Sequence, residues 1–247
     1  MSRTRPAPRV SVVIPLYNEA RCLEKNAAAT LAHLESGGRT HELLLVNDGS
    51  TDRTPEVVQR LADEHPAIRA LGYAENRGKG CAVRTGMLAA HGDFVVFMDA
   101  DLAVPLKHLD DCIHALESGA DAAIASRHAQ GAAIEVPESP LRRFMGEVFR
   151  QMCIRGMGIR ASDVTCGMKA FTRRAAREVF SRAWVDRWSY DAEILLLAQR
   201  LNLKVAEIPV RWFHNPDSAV RVGRDAVESF RDLVLIRWRL ASGKYGI

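Results

Sequence analysis

The chain has 247 residues, 47% hydrophobic and 26% charged, an ordinary globular composition with enough apolar material for one large core. Its five cysteines are scattered, odd in number and never in a C-x-x-C pair, which argues against a disulfide framework or a structural zinc site and fits a reducing cytosol. The net charge of +4 is mild, collects at Arg3, Arg5, Arg9 and from Arg142 onward, and fits an anionic partner or a solvated basic surface alike; no nucleic-acid partner is expected.

Residues 1–9, rich in Pro and Arg, read as a disordered tail. They lack the apolar core of a signal peptide, and no run reaches the ~18 apolar residues of a membrane span, so any membrane contact is expected from outside the bilayer. "VSVVIPLYN" (10–18) predicts a buried strand, followed by a helix from about Glu19 to Ser36. A strand "ELLLVNDGS" (42–50), a helix through "PEVVQRLADEH" and a strand "IRALGYA" (68–74) come next. Then follow a helix "GKGCAVRTGMLAAHG" ended by Gly92, a strand "DFVVFMDAD", a helix "PLKHLDDCIHALESG" and a strand "ADAAIASR". Continuous apolar strands alternating with helices predict a parallel, doubly wound α/β sheet covered on both faces. Ligands of such sheets bind beyond the carboxyl ends of the strands, where "PLYNE", "NDGSTD" and "DADL" stand.

From Ser139 the pattern changes. Around 141–159, Arg142, Arg143, Arg150 and Arg155 alternate with Phe144, Val148, Phe149 and Met152 at spacings that set an apolar stripe beside a basic one on a helix. A strand-like "CGMKAFT", a helix "SYDAEILLLAQRLN", a strand "KVAEIPVRW" and a last amphipathic helix from about Arg224 to Leu240 complete the chain.

Asp99 and Asp101 end the fourth strand one residue apart. In a strand, residues i and i+2 project the same way, so both carboxylates can reach one ion. Their repulsion calls for a cation, and hard oxygen ligands suit Mg2+ or Mn2+, with phosphate oxygens and water completing the shell. For an isolated D-x-D the alternative is one helix-capping and one solvated aspartate. Asp48 offers acceptors for the N–H of a base or, equally, a helix cap. "ENRGKG" (75–80) puts two glycines and Lys79 at a helix N-terminus that favours phosphate. It is not a P-loop, and no G-x-G-x-x-G follows the first strand, which weakens NTPase and dehydrogenase readings together.

Together, "VSVVIPLYNE", "LLLVNDGSTDRT", "NRGKGCAVRTGM", "FMDADL", "VTCGMKAFTR" and "WSYDAEILLLA" resemble the GT-A glycosyltransferases of family 2, and within them the dolichyl-phosphate β-glucosyltransferase and polyprenyl-phosphate glycosyltransferase branch. The resemblance implies a GT-A domain over residues 10–215, a mixed, mostly parallel sheet flanked by helices, with 216–247 as a C-terminal amphipathic appendage. It places Pro15, Tyr17 and Glu19 in a nucleoside pocket, Asp48 at the base, Lys79 at the diphosphate, Asp99 at the ribose or sugar phosphate and Asp101 on the metal. Arg127, joined by Arg142 and Arg143 of the basic stripe, is assigned to the acceptor and its phosphate. Plainer roles stay open: Pro15 ending a strand, Tyr17 packing in the core, Arg127 in a surface ion pair. Related bacterial enzymes carry an aspartate where this chain has Gly167, which leaves Asp163, Asp191 and Glu193 as candidate bases. Asp191 and Glu193 point to different sides of a helix, so one of them is expected to face the site.

The implied reaction is the inverting transfer of a hexose from a nucleotide sugar, UDP-glucose favoured over GDP-mannose, to a polyprenyl or dolichyl phosphate; a saccharide or protein hydroxyl is the alternative acceptor. A lipid acceptor implies peripheral attachment at the cytoplasmic face of a membrane. The two amphipathic stretches suit that interface, or else pack on the core or on a second copy in a homo-oligomer.

Overall fold

The computed structural model of the chain describes residues 7–136, 139–213 and 224–247. Residues 1–6 of the expected tail lie outside that range, whereas Arg9 is tied to the domain by an ion pair to Asp93 (2.9 Å) and by stacking over the Phe94 ring.

A seven-stranded sheet runs in the order β3–β2–β1–β4–β7–β5–β8. Its parallel members are β1 (Val10–Leu16), β2 (His41–Asp48), β3 (Ile68–Tyr73), β4 (Phe94–Phe97), β5 (Ala122–Ser126) and β8 (Val205–Pro209). The helices α1 (Leu23–Ser36), α2 (Thr54–Glu64), α3 (Lys79–Ala89) and α4 (Lys107–Glu117) connect these strands and cover both faces. The central strands therefore carry apolar residues on both sides: Val12, Leu43 and Leu45 pack into one core, Val13, Leu44 and Phe97 into the other. In the second core the Phe97, Phe171 and Phe180 rings meet edge to face, with neighbouring centroids 6.3 and 5.4 Å apart.

One strand makes the sheet mixed, as the resemblance implies: β7 (Lys169–Thr172) is antiparallel to both β4 and β5. The excursion after β5 returns the chain at the carboxyl edge of the sheet, so the next strand can only enter from that edge and run backwards. That excursion contains β6 (Ala133–Val136), α5 (Pro140–Gln151) and a π-helical turn, Met152–Gly156, which breaks the single helix expected over 141–159. The expected strand "KVAEIPVRW" is likewise two: β8 ends at Pro209, and β9 (Arg211–Phe213) leaves the main sheet to pair with β6. Helix α3 ends at Ala89 rather than Gly92, because Ala90 already has extended backbone (ψ 143°). Gly92 instead passes the β1 backbone so closely that a Cβ would lie 2.5 Å from the Ser11 nitrogen. The short helix α6 (Arg173–Phe180), capped by the Thr172 side chain, is absent from the sequence reading. Then follow α7 (Tyr190–Arg200) and α8 (Arg224–Ala241), the latter inserting Leu233 and Ile236 into the second core.

Candidate active site

The carboxyl ends of β1, β2, β4 and β5 lie on one edge of the sheet, and their loops build the site. The loops after β1 and β2 are stitched together. Asn18, at positive φ (58°), accepts from the Thr51 amide at 2.8 Å through its Oδ1, and the Glu19 amide donates to Thr54 Oγ1 at 2.8 Å. Tyr17 stands exposed at the rim, outside the core. Pro15 lies inside β1, opposite Val46, and does not end the strand. Burial raises the pKa of Glu19; the Cys22 contact opposes this, and the nearby charges of Asp101, Asp99 and Asp52 raise it further.

Asp48 is buried and organises the loop after β3. It accepts from Asn76 Nδ2 (2.8 Å), the Arg77 amide (2.8 Å) and the Gly78 amide (2.9 Å). The Gly78 amide also reaches the other carboxylate oxygen at 3.1 Å, so four contacts occupy roughly the four acceptor positions of the carboxylate. Two glycines of these loops are needed for the chain itself. A Cβ on Gly49 would lie 2.5 Å from the Asn76 nitrogen, and one on Gly78 2.5 Å from the Asp186 carbonyl oxygen. The start of α3 is thus roofed by the segment before α7, and the Asp186 carbonyl accepts from the Cys81 amide at 3.0 Å.

At the end of β4, Asp99 forms an ion pair with Lys79 at 2.5 Å. Burial opposes the charge on Lys79, yet Asp99, with Asp191 and Asp101, holds its pKa above the ordinary lysine range. Asp101 Oδ1 accepts from the Ala103 amide at 3.0 Å, closing a turn in which Leu102 takes positive φ (55°). Gly167 lies directly under Asp99: a Cβ there would overlap the carboxylate. Asp99, Leu102, Ala103 and Gly167, with Met98, Val104, Met168 and Trp212, line a narrow cleft. Gly167→Ala is expected to cost about 1–3 kcal/mol, the usual overpacking penalty, and to push Asp99 off Lys79. A thermal melt and the kcat for transfer check this, and wild-type values for both would show that Asp99 moves aside freely.

The three candidate bases are all engaged. Asp163 is buried against Arg127, which donates from Nε (2.8 Å), Nη2 (3.0 Å) and its own amide (2.9 Å). Burial pushes the Asp163 carboxyl up, but these bonds and the guanidinium charge prevail and hold it at about 2. Arg127, also stacked on Trp212 with 5.2 Å to the ring centroid, is therefore no surface ion pair. Glu193 is fully buried and accepts from the Val185 amide (2.9 Å), the Trp184 amide (3.1 Å) and Tyr245 Oη (2.7 Å), tying the C-terminus to the roof of α3. Asp191, on another side of the same helical turn, pairs with the fully buried Lys169 at 2.5 Å, and Lys169 also donates to the Cys166 carbonyl at 2.8 Å. Burial raises the pKa of Asp191 against the pull of Lys169 and Lys79. Glu193→Gln is expected to lower stability by about 1–3 kcal/mol while leaving kcat unchanged. Loss of kcat without loss of stability would restore Glu193 as a base.

Sequence reading passed over Lys169, Trp212 and Trp188, whose ring centroid lies 5.9 Å from Lys79 Nζ. Lys169 was legible: a lysine inside an apolar strand is almost never fully buried unless paired. Arg142 and Arg143 lie on α5, where the Ser139 side chain caps the helix through the Arg142 amide.

The model for "Glycosyl transferase family 2" matches residues 11–180. The chain belongs to glycosyl transferase family 2. Across 95% of its length it is 35% identical to a dolichyl-phosphate beta-glucosyltransferase of Trichomonas vaginalis, covering 72% of that protein. It is 36% identical to one of Drosophila melanogaster over 96% of its length and 79% of that relative. The fold is that of solved GT-A structures. A glucosyl-3-phosphoglycerate synthase of Mycobacterium tuberculosis in complex with UDP superposes with a TM-score of 0.69 at 19% identity, over 97% of this chain and 81% of that one. This family 2 chain is accordingly a glycosyltransferase.

The donor set suits a hard divalent cation. Asp99 and Asp101 follow a strand end one residue apart, and their negative charge already raises the proton affinity of Glu19. Among the described residues no three His, Cys, Asp or Glu side chains converge on one point, so protein would supply one or two ligands and phosphate and water the rest.

Proposed function

We propose that this glycosyltransferase moves glucose from UDP-glucose to a polyprenyl or dolichyl phosphate, with inversion at the anomeric carbon. The observation that carries the reading is the state of the candidate bases. Asp163 is held by Arg127 and by the Thr165 and Cys166 amides, Glu193 by three donors, Asp191 is paired with Lys169, and position 167 has no side chain. A hydroxyl acceptor needs a base to take its proton. A phosphate monoester is already anionic at neutral pH and needs none. The names of the relatives in Trichomonas and Drosophila agree with this acceptor and this sugar.

In the proposed mechanism Pro15, Tyr17 and Glu19 border the nucleoside, and Asp48 gives up one of its two Gly78 contacts to take an N–H of the base. Mg2+ or Mn2+, held by Asp101 with Asp99, would neutralise the leaving diphosphate. Lys79 leaves Asp99 for the diphosphate, adding a fixed cation where negative charge develops. Arg127, with Arg142 and Arg143, guides the acceptor phosphate. Its oxygen attacks the anomeric carbon from the face opposite the departing UDP, so an α-linked donor yields a β-linked product.

The test is transfer of label from UDP-glucose and, in parallel, GDP-mannose, with and without a polyprenyl phosphate, followed by organic extraction. Lipid-dependent label from UDP-glucose alone is the expected result. Label that stays aqueous while UDP still binds would move the acceptor to a hydroxyl and make Asp191, the candidate carboxylate coupled to Lys79 and Asp99, the base to test.

A further inference from the structure

Two ion pairs lie side by side at the carboxyl end of β4. Lys79 and Asp99, 2.5 Å apart, have side chains 24% and 33% exposed, open to a ligand. Lys169 and Asp191, also 2.5 Å apart, are 0% and 7% exposed, sealed from one. Lys79 and Asp99 have tasks in the proposed transfer; Lys169 and Asp191 have none. Stability does not account for the sealed pair. Desolvating two charges consumes most of their attraction, and apolar side chains of the same volume hold a core as well. Lys169 stands where such a side chain would be ordinary, its register partners being Phe97 on β4 and Ile124 on β5.

The sealed pair is joined to both members of the open one. Lys169 Nζ donates to the Cys166 carbonyl at 2.8 Å, and the next residue, Gly167, lies so close to Asp99 that a Cβ there would overlap its carboxylate. The ring of Phe97, two residues before Asp99, has Lys169 Nζ 5.5 Å and the Tyr190 ring 6.0 Å from its centroid. On the other side α7 begins against α3. A Cβ on Gly80, the residue after Lys79, would lie 2.7 Å from the Tyr190 Cβ, and Asp191 follows Tyr190 in that first turn. Burial disfavours the Lys79 ammonium, and the charges of Asp99 and then Asp191 outweigh it. Charges therefore alternate through the cluster in the order Lys169, Asp191, Lys79, Asp99.

That order matters because Asp99 is claimed twice, by Lys79 and, with Asp101, by a divalent cation. Two cations sharing one carboxylate repel each other, the more so in a partly buried site of low dielectric. Held by Asp99 alone, Lys79 would be driven from the place where the diphosphate needs it. Asp191 supplies a second anion that no ligand can reach, and Lys169 fixes that carboxylate in place. We propose that Asp191, fixed by Lys169, is a positioning residue whose negative charge keeps Lys79 seated for the diphosphate when a divalent cation occupies Asp99. The proposal rests on the role given above to Lys79 and not on the nature of the acceptor.

The test is equilibrium binding of UDP, measured by calorimetry with and without Mn2+, on the full-length wild type, Lys79→Met, Lys169→Met/Asp191→Asn and the variant combining all three substitutions. The double variant removes both charges at nearly constant volume, and a thermal melt checks that it folds. Should it not, Asp191→Asn alone, which leaves Lys169 its Cys166 carbonyl, carries the same prediction. With Mn2+ the double variant is expected to bind UDP about ten- to a hundredfold more weakly, the worth of one hydrogen bond to a charged group, and adding Lys79→Met should cost nothing more. Without Mn2+, where Asp99 can hold Lys79 unaided, the loss should be smaller. Unchanged UDP affinity in the double variant, an equal loss with and without Mn2+, or losses that simply add to that of Lys79→Met would overturn the proposal and leave the pair to the core. If Lys79→Met itself binds UDP like the wild type, the role of Lys79 fails and the proposal with it. UDP binding needs no acceptor, so these outcomes are independent of whether transfer depends on lipid.

Discussion

Asp101→Asn is expected to lower transfer by about two to three orders of magnitude, the loss typical of removing one group that stabilises charge in the transition state. The side chain keeps its shape and loses its charge. An amide oxygen still accepts from the Ala103 amide, a bond of 3.0 Å in the wild type, so the turn that holds Leu102 at positive φ persists and the melting temperature hardly moves. Hard divalent cations bind anionic oxygen far better than an amide, so Mn2+ affinity measured by calorimetry in the presence of UDP falls with activity. The variant should be partly rescued by raising Mn2+. Near-normal turnover at limiting Mn2+ would remove the ion from the mechanism and reduce Asp101 to a turn-forming residue.

Lys169→Met is expected to have the largest effect on stability. The ammonium lies fully buried between the Asp191 carboxylate at 2.5 Å and the Cys166 carbonyl at 2.8 Å. Removing one partner of a buried pair strands the other charge and costs about 3–5 kcal/mol, which for a chain of this size lowers the melting temperature by roughly 6–20 °C. Burial already raises the pKa of Asp191 above its ordinary value against the pull of two lysines; without Lys169 it rises further. A carboxyl with a raised folded pKa binds more protons folded than unfolded, so stability falls as pH climbs from the unfolded value near 4 to the folded one. The deficit of Lys169→Met should therefore be smaller at pH 5 than at pH 7. Lys169→Met/Asp191→Asn should recover most of the loss and flatten the pH dependence. A deficit independent of pH would mean that lost packing, not a stranded carboxylate, is the cause.

Much of this molecule can be read from the chain alone. Strands such as Val10–Leu16 and Leu43–Val46 are apolar on both faces, which only a sheet covered on both sides accommodates, and Asp48, Asp99 and Asp101 mark strand ends because carboxylates cannot continue into such a core. These are local consequences of residue type and period, and so are the amphipathic stripes of α5 and α8. The roles of the other polar residues depended on partners far away in sequence. Asp163, Asp191 and Glu193 look alike as letters. Arg127, 36 residues away, turns the first into half of a bidentate pair; Lys169 claims the second; Tyr245, 52 residues on, caps the third. Nothing in the residues around Gly49, Gly78 and Gly167 shows what stands over them, and the fold fills the space above each with Asn76, Asp186 and Asp99. Residue pattern did not show which strand of the mixed sheet runs backwards, since strand direction is decided by the edge at which the chain re-enters the sheet. Residue chemistry and periodicity act over a few positions and are legible in order along the chain; the partner of a buried charge, the neighbour of a glycine and the sense of a strand are set only when distant segments pack together.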